Sequence, residues 1–130
     1  TGSAAMTFGI QAVAVMGNAD RKYFRMLEEA GNEVYERTAE LPFWDEYGEL
    51  IKSDIADVRN IGGREAGAIT AGKFLERFAE YPLIHLDIAG PGLLKKDDYY
   101  RLKDGPGTGA RLLAEFLRKY ASVLTNKINE

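Results

Sequence analysis

The chain has 130 residues, 45% of them hydrophobic and 28% charged, with a formal net charge of -3. That length supports one domain with a buried core, and the charge excludes the basic field that a nucleic-acid backbone requires, so no nucleic-acid partner is expected. With no cysteine and a single histidine, His85, thiol nucleophiles, disulfides, cysteine-based zinc sites and imidazole clusters are excluded as well.

The first mostly apolar stretch, Ala4 to Met16, is broken by Thr7, Gly9 and Gln11. It is too short and too polar to cross a bilayer, and no basic segment precedes it as a secretion signal would require. A cytoplasmic protein without a membrane partner is expected. Within that stretch Gln11 to Met16 predicts a buried strand, closed by a turn at Gly17-Asn18. Asp20 then caps a helix from Arg21 to Ala30, with Phe24, Leu27 and Ala30 on one face and Gly31-Asn32 as its stop. Glu33 to Arg37 alternates weakly and predicts a short strand running into a loop at Leu41-Pro42.

Asp45 to Ile51 can start a helix. Ser53 to Gly63 carries too much turn chemistry for regular structure and predicts a long ordered loop. From Ala66 onward Ala68, Ala71, Leu75, Phe78 and Ala79 follow a helical face, and Pro82 ends the pattern. Leu83 to Ala89 predicts a central strand with Ile84, Leu86 and Ile88 on one side and His85 with Asp87 on the other. After a charged segment, Lys95 to Asp104, comes Gly105-Pro106-Gly107-Thr108-Gly109. A terminal amphipathic helix follows, bearing Leu112, Leu113, Phe116, Leu117, Tyr120 and Leu124. Strands alternating with helices predict an α/β fold with helices layered on a sheet.

Several groups have chemical potential and a plainer role beside it. The Gly-Pro-Gly-Thr-Gly run could cradle a phosphate, yet it lacks the lysine and spacing of a Walker A loop and reads as a tight entry to a helix. His85 and Asp87 could form an oriented base, although a histidine in an apolar strand is more often a hydrogen-bonded core residue. Asp54 and Asp57 could act as paired carboxylates or as turn caps beside Ser53 and Asn60. Thr1 could be an N-terminal nucleophile activated by its own amine. Phe43, Trp44 and Tyr47 could line a ligand or simply pack.

Five blocks of sequence go further. Thr1-Gly2-Ser3-Ala4, Leu41 to Tyr47, Lys52 to Arg64, Ala66 to Ala71 and His85-Leu86-Asp87-Ile88-Ala89-Gly90 resemble, in order and spacing, the last third of the catalytic domain of cytosolic leucyl aminopeptidases. The resemblance implies a layered α/β/α sheet domain of which residues 1–130 form an incomplete, C-terminal portion. It also implies a peptidase that removes the N-terminal residue of peptides using two divalent metal ions, zinc, manganese or magnesium, in a homo-hexamer.

The family's metal-binding Lys, Asp and Glu residues and its catalytic Asp-Ala-Glu-Gly-Arg motif lie upstream of the Thr-Gly that matches Thr1-Gly2. The expectation is therefore no catalytic residue and no metal ligand within these residues, and an inactive chain in isolation. Residue by residue, the resemblance places Thr1 and Gly2 where the main chain lines the substrate site. It places Ala89 in the pocket for the substrate's N-terminal side chain, with Gly92 bordering it where mammalian members carry methionine. The family's His-Leu-Asp is not a ligand motif, which favours a structural role for His85 and Asp87. The alternatives to a peptidase portion are a non-catalytic oligomerising module and an N-terminal threonine hydrolase.

Overall fold

The computed structural model describes residues 1–128. Its elements in chain order are α1 (Gly2–Phe8), β1 (Val13–Gly17), α2 (Arg21–Val34), β2 (Thr38–Glu40), a 3-10 helix (Asp45–Ile51), α3 (Gly67–Glu76), β3 (Ile84–Asp87) and α4 (Ala110–Ile128). The sheet runs in the order β2-β1-β3. β1 and β2 are parallel, as a connection through α2 requires. β3 is antiparallel to β1, with Ala14 opposite Asp87 and Met16 opposite His85. Among the described residues β1, not β3, is therefore the central strand.

The two-residue alternation of β1 divides the core into two layers. Val13 and Val15 pack with Phe24, Leu27 and Ala30 of α2, Leu112 and Phe116 of α4, and Ile84 and Leu86 of β3. Ala14 and Met16 face the other way, against Ala4 and Phe8 of α1, Ala68 of α3, and Leu41 and Phe43. Helices thus cover both faces of the sheet in an α/β/α arrangement, and both sides of β1 are apolar because both are buried.

One element is added to those expected from sequence, and three local expectations are corrected. The opening residues form a helix, because the Thr1 hydroxyl accepts a hydrogen bond from the Ala4 amide at 3.1 Å and caps α1, while Gly9 ends it at φ 57°. α2 runs through Gly31-Asn32 to Val34 and stops at Tyr35 in the left-handed conformation. Gly31 is there for close approach: a Cβ on it would lie 2.7 Å from the Glu36 carbonyl oxygen. With Val34 still helical, the strand expected at Glu33 to Arg37 moves to Thr38–Glu40.

The third correction concerns α3, which ends at Glu76, before Phe78 and Ala79, and buries Ala68, Ile69, Thr70, Gly72 and Lys73. Leu75 and Phe78 are exposed. Lys73 is accommodated inside because its side-chain nitrogen donates to Glu76 at 2.9 Å, sits 3.4 Å from Asp45 and lies 4.1 Å above the Phe43 ring. The segment Asp45–Ile51 is helical as expected, in 3-10 form. Ser53 to Gly63 has no helix or strand.

Candidate functional site

The most constrained polar group is Asp87, the last residue of β3, whose side chain is 3% exposed. One carboxylate oxygen accepts from the Thr1 main-chain nitrogen and, at 3.2 Å, from the Ala89 amide; the other accepts from the Thr1 hydroxyl at 2.6 Å. Burial alone would raise the Asp87 pKa. These hydrogen bonds outweigh it and hold the group below the ordinary carboxylate value. One buried anion thereby pins the start of α1 to the turn that follows β3.

That turn is tight. The Gly92 amide bonds the Ile88 carbonyl at 2.7 Å, and a Cβ at Gly90 would fall 1.9 Å from the Gly9 carbonyl oxygen. Only glycine lets the turn lie against the end of α1. Between them opens a cavity of about 520 Å3 lined by Ala5, Met6, Ile10, Ala89, Leu93 and Leu94 together with Lys95, Lys96 and Asp98. Met6 and Leu93 leave 86% and 69% of their surfaces exposed, bare apolar area beside a concave opening.

Of the residues singled out from sequence, Thr1 and Ala89 meet on Asp87, and Ala89 lines the cavity. Gly2 opens α1 next to them. Gly92 lies in the turn beside the cavity, where a Cβ would sit 2.6 Å from the Ile88 carbonyl oxygen. Met6 and Leu93 were not singled out. Their signal was faint: one large apolar side chain among small residues of a helix that sequence periodicity did not reveal, and one in a loop.

His85 does not pair with Asp87. Its Nε2 is buried without a hydrogen-bond partner, which corrects the expectation of a hydrogen-bonded core histidine. Burial lowers its pKa, partly offset by the negative charge of Asp87. The Thr1 hydroxyl is committed to Asp87 and Ala4, and its amine is ion-paired with Asp87.

The glycine run before α4 keeps its plainer role. The glycines before α4 bring its N-terminal amides onto a protein anion: Glu36 accepts from Gly109 and Leu112 at 3.0 and 2.9 Å, leaving no place there for phosphate. The turn capping expected of Asp54 and Asp57 is corrected: Ser53 makes the turn, its hydroxyl accepting from the Ile55 and Ala56 amides. Trp44 stacks on Tyr47 at the surface, while Phe43 enters the core. Among the described residues no three His, Asp or Glu side chains converge to hold a metal ion, so the side chains present do not fit a two-metal centre.

The chain is similar in sequence and fold to known proteins. A probable cytosol aminopeptidase of Geobacter sp. (strain M21) is 46% identical over 120 residues, covering 92% of this chain and 24% of that protein. Another, from Geotalea uraniireducens (strain Rf4), is 47% identical over 119 residues, with 91% and 24% covered. The chain thus spans about a quarter of the length of these relatives. Among solved structures, the bottromycin maturation enzyme BotP superposes with a TM-score of 0.86 at 27% identity over 94% of this chain and 28% of BotP. BotP in complex with Mn superposes at 0.84 and 28% identity, covering 92% of this chain and 27% of that one. Residues 1–114 match the Cytosol aminopeptidase family, catalytic domain, and the chain belongs to that family.

Proposed function

We propose that residues 1–130 are the C-terminal portion of an aminopeptidase catalytic domain and supply the wall of its pocket for the N-terminal side chain of a peptide substrate. The observation that carries this reading is the Asp87 clamp, which joins Thr1 to Ala89 beside an apolar cavity in a chain of the cytosol aminopeptidase family. In this reading Thr1 and Gly2 present main chain to the substrate, and Ala89 and Gly92 bound the side-chain pocket. Two divalent ions, zinc, manganese or magnesium, would be held by other parts of the protein, where they would supply Lewis-acid activation for peptide hydrolysis. The working form is a cytoplasmic homo-oligomer, a hexamer by the earlier resemblance, in which this chain supplies no metal ligand.

Two measurements test it. The purified chain, given zinc, manganese or magnesium, is expected to leave a leucine chromogenic amide intact. A chimera in which this chain replaces the matching segment of a full-length relative is expected to cleave that amide, and Ala89→Phe in the chimera to lower kcat/KM for leucine by about 10-fold or more through steric exclusion. Turnover by the chain alone, or an active chimera indifferent to Ala89→Phe, overturns the proposal.

A further inference from the structure

The cavity beside Ala89 is not uniformly apolar, and its charges are unbalanced. Lys95 and Lys96 both line it and are exposed. Neither forms an ion pair among the described residues, whereas Asp98, the one carboxylate on the lining, is engaged by two nitrogens of the Arg101 guanidinium. The lining of the cavity therefore carries a net positive charge beside the apolar side chains of Ala5, Met6, Ile10 and Leu93.

Resting on the side-chain pocket proposed above, we infer that Lys95 and Lys96 set its charge preference. They admit peptides with an N-terminal glutamate alongside neutral apolar residues and reject those with an N-terminal lysine or arginine. The methylenes of a glutamate side chain lie on Met6 and Leu93, which are otherwise bare, and its carboxylate reaches the two ammonium groups. A lysine side chain brings the same apolar stem with a like charge. Partial enclosure by α1 and the turn after β3 lowers the solvent screening that an open surface would impose. Selection arises from side-chain charge alone and requires no new chemistry.

The test uses the chimera with glutamyl, leucyl and lysyl chromogenic amides. The expected kcat/KM for the glutamyl amide exceeds that for the lysyl amide by about 10-fold, from two partly screened charge contacts. The paired substitution Lys95→Glu with Lys96→Glu inverts this order, a swing of about 100-fold in the ratio, and Lys95→Met with Lys96→Met brings the ratio near unity. Added salt narrows the preference in the unsubstituted chimera. A chimera that cleaves the leucyl amide but keeps its glutamyl-to-lysyl ratio after charge reversal overturns this inference alone. A chimera that cleaves none of the three overturns the pocket assignment, and the inference with it.

Discussion

Asp87 is where sequence-distant parts of the chain are tied together, since its partner Thr1 lies 86 residues away. A carboxylate accepting from two nitrogens and a hydroxyl while almost fully buried gains more from each bond than a neutral acceptor would. Asp87→Asn is expected to cost about 1.5–3 kcal/mol at pH 7, the usual worth of hydrogen bonds to a charged group. The sign of the pH dependence follows from the lowered pKa. As pH falls below the ordinary carboxylate range the unfolded chain takes up the proton first, so this stability is complete above that range and drains away below it. Urea denaturation of both forms at pH 7 and pH 3 checks this; a difference that persists undiminished at pH 3 would mean the charge is irrelevant. The His-Leu-Asp spacing placed His85 and Asp87 correctly on one face of the strand. It could not disclose that the carboxylate turns to Thr1, because α1 is a seven-residue helix too short to show periodicity.

At the scale of elements, Glu36 organises one side of the fold. Lying just after α2, it accepts from the Gly109 and Leu112 amides at the start of α4 and from the Arg111 guanidinium at 3.3 Å. It completes the helix N-terminus as a capping carboxylate would, but from another element. Glu36→Ala is expected to destabilise the chain by about 2–3 kcal/mol, as the loss of charge-assisted bonds to buried amides predicts. Faster hydrogen exchange should be concentrated at Gly109 and Leu112. A loss below about 0.5 kcal/mol, the range of ordinary surface substitutions, would remove Glu36 from this role. The glycines in the sequence announced the entry to α4 and left the anion unnamed. Gly31 misled in the opposite direction: it resembles a helix stop, whereas it serves the close approach of the Glu36 main chain. The buried face of α3 was also displaced, because Lys73 reads as a solvent residue until Glu76, Asp45 and Phe43 are brought around it.

On the scale of the whole molecule, the alternation of strands and helices was enough to place helices on a sheet, and the apolar run of β1 was enough to bury it. Which strand takes the centre was not legible, since it depends on pairings between distant segments and not on the composition of either strand. The outcome is a three-strand sheet whose outer strands, β2 and β3, are short and only partly covered. Unpaired strand edges and bare apolar side chains are the usual substrates of association. Among the side chains on α4, Phe116 packs into the core, while Leu113 and Leu117 remain 44% and 58% exposed. The isolated chain is therefore expected to form dimers or larger species at micromolar concentration, through strand pairing at β3 or through Leu113 and Leu117. Light scattering over a dilution series measures the mass directly. Leu113→Lys with Leu117→Lys separates the routes: it reduces the mass if the helix face is responsible and leaves it unchanged if the strand edge is. A monomer at every concentration, unfolding in one cooperative step, would show that these three strands close their own core and offer no edge to a partner.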